Sequence, residues 1–275
     1  KEMMRNIGDE RKWEILQQHL GDRYKDGRTE MVLQIQQEIQ LLRDAPDIDH
    51  LRSLSVSLRS RPIRWINIFT ENGGLQVILE NLRLLAAENI HNDYEEFYIK
   101  SLKSLMNNKV GLASVLESEG ALNVIAISLR SPSFRTKSLV LEILGAVCLI
   151  PGGHQPVLDA IDSYCEMAMT RFRFETIVET LWQSCQGSSV IEKELQVLCM
   201  SFINAVICGG PGIDSLEFRM HMRFEFLQVG LMQLIDKIGF LDNDLLQTQI
   251  DVWISGLETD EEEMWHRLGF EETKK

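Results

Sequence analysis

Hydrophobic positions recur every three or four residues along almost the whole chain, and the two-residue alternation typical of strands is almost absent. In "MVLQIQQEIQLL", for example, Met31, Ile35, Ile39 and Leu42 fall on one helical stripe. Short polar or glycine-containing turns interrupt the pattern, as at residues 107–109, 131–133, 151–153, 187–189 and 209–212. The pattern therefore predicts an all-α protein of many short helices.

Two segments suggest that the helices repeat. "SLMNNKVG" (104–111) and "GAVCLIPGG" (145–153) each end a helix in a turn with glycine, and a shift of 41 residues places Gly111 on Gly152. A helical repeat of about 40 residues is typical of armadillo and HEAT solenoids. In such folds each repeat buries its apolar face on its neighbours, and the stacked helices form a concave wall. We therefore expect a helical solenoid.

Composition narrows the class of partner and the compartment. The chain has 275 residues, of which 44% are hydrophobic, and a net charge of -13. That charge argues against a nucleic-acid partner and favours a basic peptide or a basic protein patch. Five scattered cysteines without a C-x-x-C pair indicate a reducing, intracellular compartment. The chain begins with Lys1 rather than methionine, so we expect a fragment of a longer protein.

The longest apolar run, residues 139–150, has 12 residues and contains Glu142. A membrane-spanning helix needs about 20 apolar residues, so we expect no transmembrane segment. The run carries two stripes of apolar residues at helical spacing, one starting at Leu139 and the other at Val140, and stripes of this kind are expected to be buried. The remaining face holds Glu142, Gly145, Ala146 and Leu149.

Two interpretations of that remaining face stay open. The small residues Gly145 and Ala146 would leave a shallow depression in which an amphipathic helix could lie, with Leu149 as its apolar edge. Alternatively, they only allow two helices of the fold to pack closely. On these residues alone, close packing is the preferred interpretation.

The sequence contains no pattern that predicts catalysis or metal binding. The glycine-rich segments 151–154 and 209–212 lack the preceding strand and the following Lys-Ser or Lys-Thr of a phosphate loop, so they read as helix ends. We expect His154, which follows one of them at a probable helix start, to be exposed. The six histidines are too dispersed for a metal site. We therefore expect no enzyme activity, no metal and no cofactor.

Five blocks in order along the chain resemble one known family. They read "LRSLSVSLRSRPIRWINIF", "IKSLKSLMNNKVG", "TKSLVLEILGAVCLIPGGHQPVLDAI", "MSFINAVI" and "EFRMHMRFEFLQVGL". Together they are similar to the N-terminal regulatory region of diaphanous-related formins, which joins a GTPase-binding segment to the formin-homology-3 (FH3), or diaphanous inhibitory, armadillo domain. "ERKWEIL" and "LEILGAVCLIPGGH" are most similar to the branch of Dishevelled-associated and leucocyte formin-related proteins.

The resemblance implies an all-α, right-handed armadillo superhelix preceded by a small helical subdomain. We expect the GTPase-binding subdomain in residues 1–50, the armadillo domain in 51–257, and an acidic segment leading toward a dimerisation region in 258–275. The implied partners are a GTP-loaded Rho-family GTPase and the C-terminal autoregulatory helix of the same formin, whose binding is mutually antagonistic. Actin would be reached only through the C-terminal half that this fragment lacks, and the full-length protein would form a homodimer. The implied location is the cytoplasm, at the cytoskeleton and cell cortex.

The resemblance also implies two sets of contact residues and favours the depression over close packing. The groove for the autoregulatory helix comprises Asn107, Asn108, Glu142, Ile143, Ala146, Val147 and Leu149. The GTPase-binding set comprises Trp13, Val56, Arg59, Ser60, Arg61, Asn107, Asn108 and Lys109. Trp13 could equally belong to the core of the first subdomain. Many relatives have an asparagine-rich turn where this chain has Arg59-Ser60-Arg61, so the identity of the GTPase stays open. The alternative function is an armadillo scaffold that binds a linear peptide or cargo without GTPase control.

Overall fold

The computed structural model describes residues 28–44 and 46–269, and all regular secondary structure in those residues is helical. The predicted all-α armadillo superhelix is confirmed. Helix α1 covers residues 28–44. The later helices are α2 (Ile48–Ser60), α3 (Ile63–Glu71), α4 (Gly74–Ala87), α5 (Asp93–Met106), α6 (Lys109–Glu117), α7 (Ala121–Ile127), α8 (Phe134–Cys148), α9 (His154–Ala168), α10 (Glu175–Ser184), α11 (Val190–Cys208), α12 (Leu216–Gln228), α13 (Leu231–Ile238) and α14 (Asp244–Arg267). Single 3₁₀ turns follow α7 and α11, at Ser128–Arg130 and Gly210–Ile213.

From α3 onward the helices form four triplets. Helix α2 and the third helix of each triplet all start in the same way. A polar N-cap side chain accepts a hydrogen bond from the first turn of α2, α5, α8, α11 and α14. These caps are Asp47, Asn92, Ser133, Ser189 and Asn243. Such a side chain satisfies a backbone N–H that would otherwise lack a partner, so each of these helices has a fixed starting point.

The capped helices pack side by side into a ladder in the order α2, α5, α8, α11, α14. The guanidinium of Arg52 lies 5.5 Å from the centroid of the Phe97 ring. Both are the fifth residue of their helices, which is the pairing of two helices that run parallel and in register. The apolar side chains between the triplets form one continuous core. The ladder therefore brings the C-terminal ends of its helices to one edge of the molecule.

The expected domain limits of 1–50, 51–257 and 258–275 stay a prediction. Residues 1–27, including Trp13, lie outside the described part of the chain. Helix α14 runs without a break through residues 257 and 258.

Across residues 28–44 and 46–269, no individual helix has the length and apolar character needed to cross a membrane. One pair of helical segments, Lys109–Glu117 and Ala121–Arg130, meets the criterion only when the two are joined, and they are bent by 91°.

Candidate functional site

Helix α8 occupies the middle of the ladder and buries most of its apolar residues. Val140, Leu144 and Cys148 are at most 1% exposed. The opposite face is open, because Ala146 is exposed and Leu149 is 67% exposed. This is the face that the sequence pattern assigns to a possible depression.

The depression at Gly145 is not filled by a neighbouring side chain. A Cβ atom built on Gly145 would find its nearest neighbour, Cδ2 of Phe202, at 4.0 Å, which is ordinary van der Waals contact. Gly145 is partly exposed and Ala146 is exposed. Close helix packing therefore does not account for these two small residues, and another chain has room to approach the backbone of α8 here.

Two residues of the expected groove set lie in the core instead of on its surface. Ile143 is 3% exposed and Val147 is 1% exposed. Periodicity places both on apolar stripes, and the neighbouring helices α5 and α11 cover those stripes. They support the groove from below, and the exposed surface is formed by Glu142, Ala146 and Leu149.

The two asparagines in the turn between α5 and α6 have different roles. The Asn108 side chain caps α6 by accepting from the Gly111 N–H at 2.9 Å, and its amide donates to the Leu105 carbonyl at 2.9 Å. Asn107 is exposed, as is Lys109. Asn108 therefore shapes the turn, whereas Asn107 and Lys109 are available to a partner.

An ion pair between Lys103 of α5 and Glu142 of α8 shows the register of these two helices. Lys103 is four residues before Asn107, and Glu142 is four residues before Ala146. One turn of helix contains 3.6 residues, so Asn107 and Ala146 lie together one turn further along. The expected groove positions on the two helices are thus neighbours.

The residues expected to bind a GTPase lie at the same edge, on the C-terminal end of α2. Val56 is 54% exposed, and Arg59, Ser60 and Arg61 are exposed. Ile63, which the sequence reasoning did not select, adds a second apolar side chain there and is 58% exposed. Because α2 and α5 are parallel and in register, this surface is adjacent to the Asn107 turn.

A large groove in the described part of the chain was not predicted from the sequence. It has a volume of about 770 Å³ and lies toward the N-terminal halves of the ladder helices. Val190 and Leu245 line it and are 73% and 68% exposed. It meets the expected groove at Lys103 and Glu142.

The described residues contain no group of three or more His, Cys, Asp and Glu side chains placed to hold a metal ion.

The expectation that His154 is exposed was wrong. The imidazole is 3% exposed, and its Nε2 lies 2.8 Å from the Val206 carbonyl oxygen. The ring also packs edge-on against Phe218, with centroids 5.5 Å apart. A Cβ atom on Gly210 would come within 2.5 Å of this ring. The glycines of segment 209–212 therefore make room for the histidine, which packs between the end of α11 and Phe218 of α12.

Comparisons with known proteins agree on one family. The profile described as the Diaphanous GTPase-binding Domain matches residues 1–149, and that of the Diaphanous FH3 Domain matches residues 154–275. The human Disheveled-associated activator of morphogenesis 1 is 42% identical over 201 residues, which is 73% of this chain and 19% of that protein. The human Protein diaphanous homolog 2 is 34% identical over 258 residues, or 89% of this chain and 22% of that protein. The chain thus spans about a fifth of the length of these relatives.

Solved structures agree on the fold. An Entamoeba histolytica formin, Formin1 bound to EhRho1-GTPγS, matches with a TM-score of 0.71 and 18% identity, covering 96% of this chain and 92% of that one. A designed armadillo repeat protein in complex with the peptide (KR)4 matches with a TM-score of 0.55 and 13% identity, covering 80% of each chain.

Proposed function

Because this chain belongs to the diaphanous-related formins, we propose that it is the regulatory module that controls autoinhibition of actin filament nucleation and elongation. It binds a GTP-loaded Rho-family GTPase and the C-terminal autoregulatory helix of the same formin. The observation that carries the proposal is the shared edge of the ladder. There the exposed end of α2, the Asn107 turn and the depression on α8 follow one another on adjacent parallel helices.

The autoregulatory helix lies in the depression on α8. An amphipathic helix docks by placing residues spaced three or four apart into an apolar groove. Leu149 and the exposed methyl of Ala146 provide apolar contact, and Gly145 lets the incoming backbone come close. The net charge of -13 favours a basic tail segment beside that helix.

The GTPase binds at the end of α2 and the neighbouring turn. Val56 and Ile63 supply exposed apolar surface, and Arg59, Arg61 and Lys109 surround it with positive charge. A patch of this kind, apolar at the centre and charged at the rim, is typical of protein interfaces. The E. histolytica formin that shares this fold was solved with a Rho protein carrying a GTP analogue.

Antagonism between the two partners follows from the position of Asn107. It lies between the α2 surface and the α8 depression, so a partner that covers either one approaches the same turn. A ligand shifts an equilibrium only through its different affinity for the two states, and the usual coupling is about 1–3 kcal/mol. By thermodynamic reciprocity, each partner weakens the other by the same factor.

The main experiment measures binding of a Rho-family GTPase in two nucleotide states, with and without the tail peptide. We expect binding of the GTPγS-loaded protein but much weaker binding of the GDP-loaded protein. We also expect a saturating concentration of the GTPγS-loaded protein to raise the Kd of the tail peptide roughly 5- to 150-fold. This range is the affinity ratio that corresponds to a coupling of about 1–3 kcal/mol. Equal binding of both nucleotide states would contradict the proposed GTPase control.

The second candidate function is an armadillo scaffold that binds a linear peptide without GTPase control, favoured by the open 770 Å³ groove on the ladder. It would be preferred if deletion of residues 1–45 changed no binding. Catalysis is not part of the proposed function. The location that goes with it is the cytoplasm, at the cytoskeleton and cell cortex.

A further inference from the structure

The two halves of α14 are held to the rest of the molecule by different forces. In the first half Leu246, Ile250 and Trp253 are buried in the core. After Trp253, the only fully buried side chain in the described part of this helix is Asp260, which is 3% exposed. The second half therefore depends on polar contacts rather than on apolar burial.

Four side chains, which we call the α14 clamp, make the less exposed of those contacts: Arg219, Arg223, Asp260 and Glu263. A more exposed ion pair, in which Arg267 donates to Glu217 at 2.8 Å, also joins the end of α14 to α12. Arg219 Nε donates to one oxygen of Asp260 at 2.7 Å, and Arg223 Nε donates to the other at 2.8 Å. Arg219 also donates to Glu263 at 3.2 Å. Both arginines belong to α12, so the clamp ties the distal half of α14 to the first helix of its triplet.

Two backbone carbonyls complete the clamp. Arg223 donates to the carbonyl of Trp253 at 3.2 Å, and Arg219 donates to the carbonyl of Gly212 at 3.0 Å. Gly212 follows the C-terminus of α11, so the distal half of α14 is positioned relative to the end of a ladder helix. Arg223 is 2% exposed, and a buried charge of this kind needs its partners.

The helix has a weak point at the start of its distal half. Gly256 lies inside α14, where glycine costs about 1 kcal/mol relative to alanine. A Cβ atom at this position would come within 2.5 Å of Nη2 of Arg223. The helix therefore has a flexible residue at the place where the buried guanidinium needs room.

We propose that Gly256 and the α14 clamp form a latch that sets the direction of the distal half of α14. With the clamp closed, the distal half lies along α12. With Asp260 unable to hold both arginines, the helix bends or frays from Gly256 onward while the ladder stays folded. The latch is independent of the groove on α8 and of GTPase binding.

Hydrogen exchange on the full 275-residue chain tests the latch, with Asp260→Asn as the main variant. We expect amides 257–267 to exchange at least tenfold faster, with α8 and α11 unchanged. Glu258→Gln is the matched control, because Glu258 is an exposed carboxylate on the same helix and should leave exchange as in the wild type. Unchanged exchange in 257–267 would overturn the proposal. Equal acceleration in α8 and α11 would also overturn it, since that result means a general loss of stability.

Two further variants keep the test decisive if Asp260→Asn fails to fold. Glu263→Gln removes the half-buried end of the clamp and should accelerate exchange only in the last two turns of α14. Gly256→Ala improves helix propensity but displaces the Arg223 guanidinium, so the latch predicts faster exchange in 257–267. If propensity alone governed this helix, exchange would slow, and slower exchange in Gly256→Ala would refute the latch.

Discussion

Lys103 of α5 and Glu142 of α8 form an ion pair that bridges two neighbouring helices of the ladder. Both side chains remain partly exposed, so the pair adds at most about 1 kcal/mol to stability. Its importance is geometric. It shows which levels of α5 and α8 face each other, and Asn107 and Ala146 lie one turn further along, where the surfaces for the two proposed partners meet.

The α8 depression is tested by Ala146→Asp. Ala146 is exposed, so the variant should fold, but its carboxylate would be buried without a partner beneath a docked apolar helix. We expect the Kd of the formin tail peptide, measured by calorimetry, to rise at least tenfold. Ala87→Asp is the control, because Ala87 is an exposed alanine at the end of α4. Equal affinity of wild type and Ala146→Asp would reject the groove.

The α2 surface is tested by Val56→Asp. This change puts a charge into the exposed apolar centre of the proposed GTPase interface, which a bound partner would desolvate. We expect at least a tenfold loss of affinity for the GTPγS-loaded Rho-family protein, with tail-peptide binding retained. Val252→Asp on α14 serves as the control because Val252 is 47% exposed and belongs to the same ladder. A matching loss of GTPase affinity in the control would show that the effect is not local to α2.

The packing of His154 is tested by two glycine substitutions. Gly152 and Gly210 both have positive φ, at 77° and 51°, so alanine strains the backbone at either position. A Cβ atom on Gly152 meets nothing within 4 Å, whereas one on Gly210 overlaps the His154 ring. We therefore expect Gly210→Ala to lower the free energy of unfolding by about 1–3 kcal/mol more than Gly152→Ala does. Adding His154→Ala should recover part of that difference, and strict additivity in this double-mutant cycle would disprove the contact.

The buried Lys137 predicts a pH-dependent stability. Burial lowers the pKa of this ammonium below its usual 10.5, and its Nζ donates to Thr180 at 3.1 Å. Between the lowered pKa and about 10.5 the unfolded chain binds more protons than the folded one, so this residue makes stability rise with pH there. Below that window the full cost of burying the charge is present.

Replacing Lys137 and Thr180 together by Met and Val removes the buried charge and its acceptor. We expect denaturant unfolding at pH 7 to show a gain of about 1 kcal/mol or more, and the gain to shrink toward pH 10. Lys109→Met is the control, since Lys109 is exposed and should show no such trend. A gain that stays constant with pH would contradict the assignment.

The fold was predictable because its signals are local. The helical stripes and the 41-residue repeat follow from side chains that each triplet must bury on the next. The open face of α8 was expected only through the family resemblance, because Gly145, Ala146 and Leu149 taken alone favoured close helix packing. Periodicity placed Ile143 and Val147 on an apolar stripe of the buried type, and their burial agrees with it. Only the residue set implied by the family resemblance counted them as groove surface.

The contacts that sequence reasoning missed join residues far apart along the chain. His154 is buried because its partner carbonyl on Val206 and the space at Gly210 lie more than 50 residues away. Arg219 and Asp260 are 41 residues apart and read as ordinary surface charges when taken singly. A charge run or a helix-start histidine is exposed by default, and only the packing of helices that are far apart along the chain reverses that.

The seat of His154 also limits how such a solenoid can be rebuilt. The imidazole comes from one triplet, and the glycines that admit it stand just beyond the end of that triplet's last helix. Duplicating or deleting whole triplets, as in designed repeat arrays, would therefore have to transfer donor and receptor together. A shortened or lengthened version made without that transfer would contain either the histidine ring without the glycines that make room for it, or those glycines without the ring. This protein is therefore less modular than its repeating helices suggest.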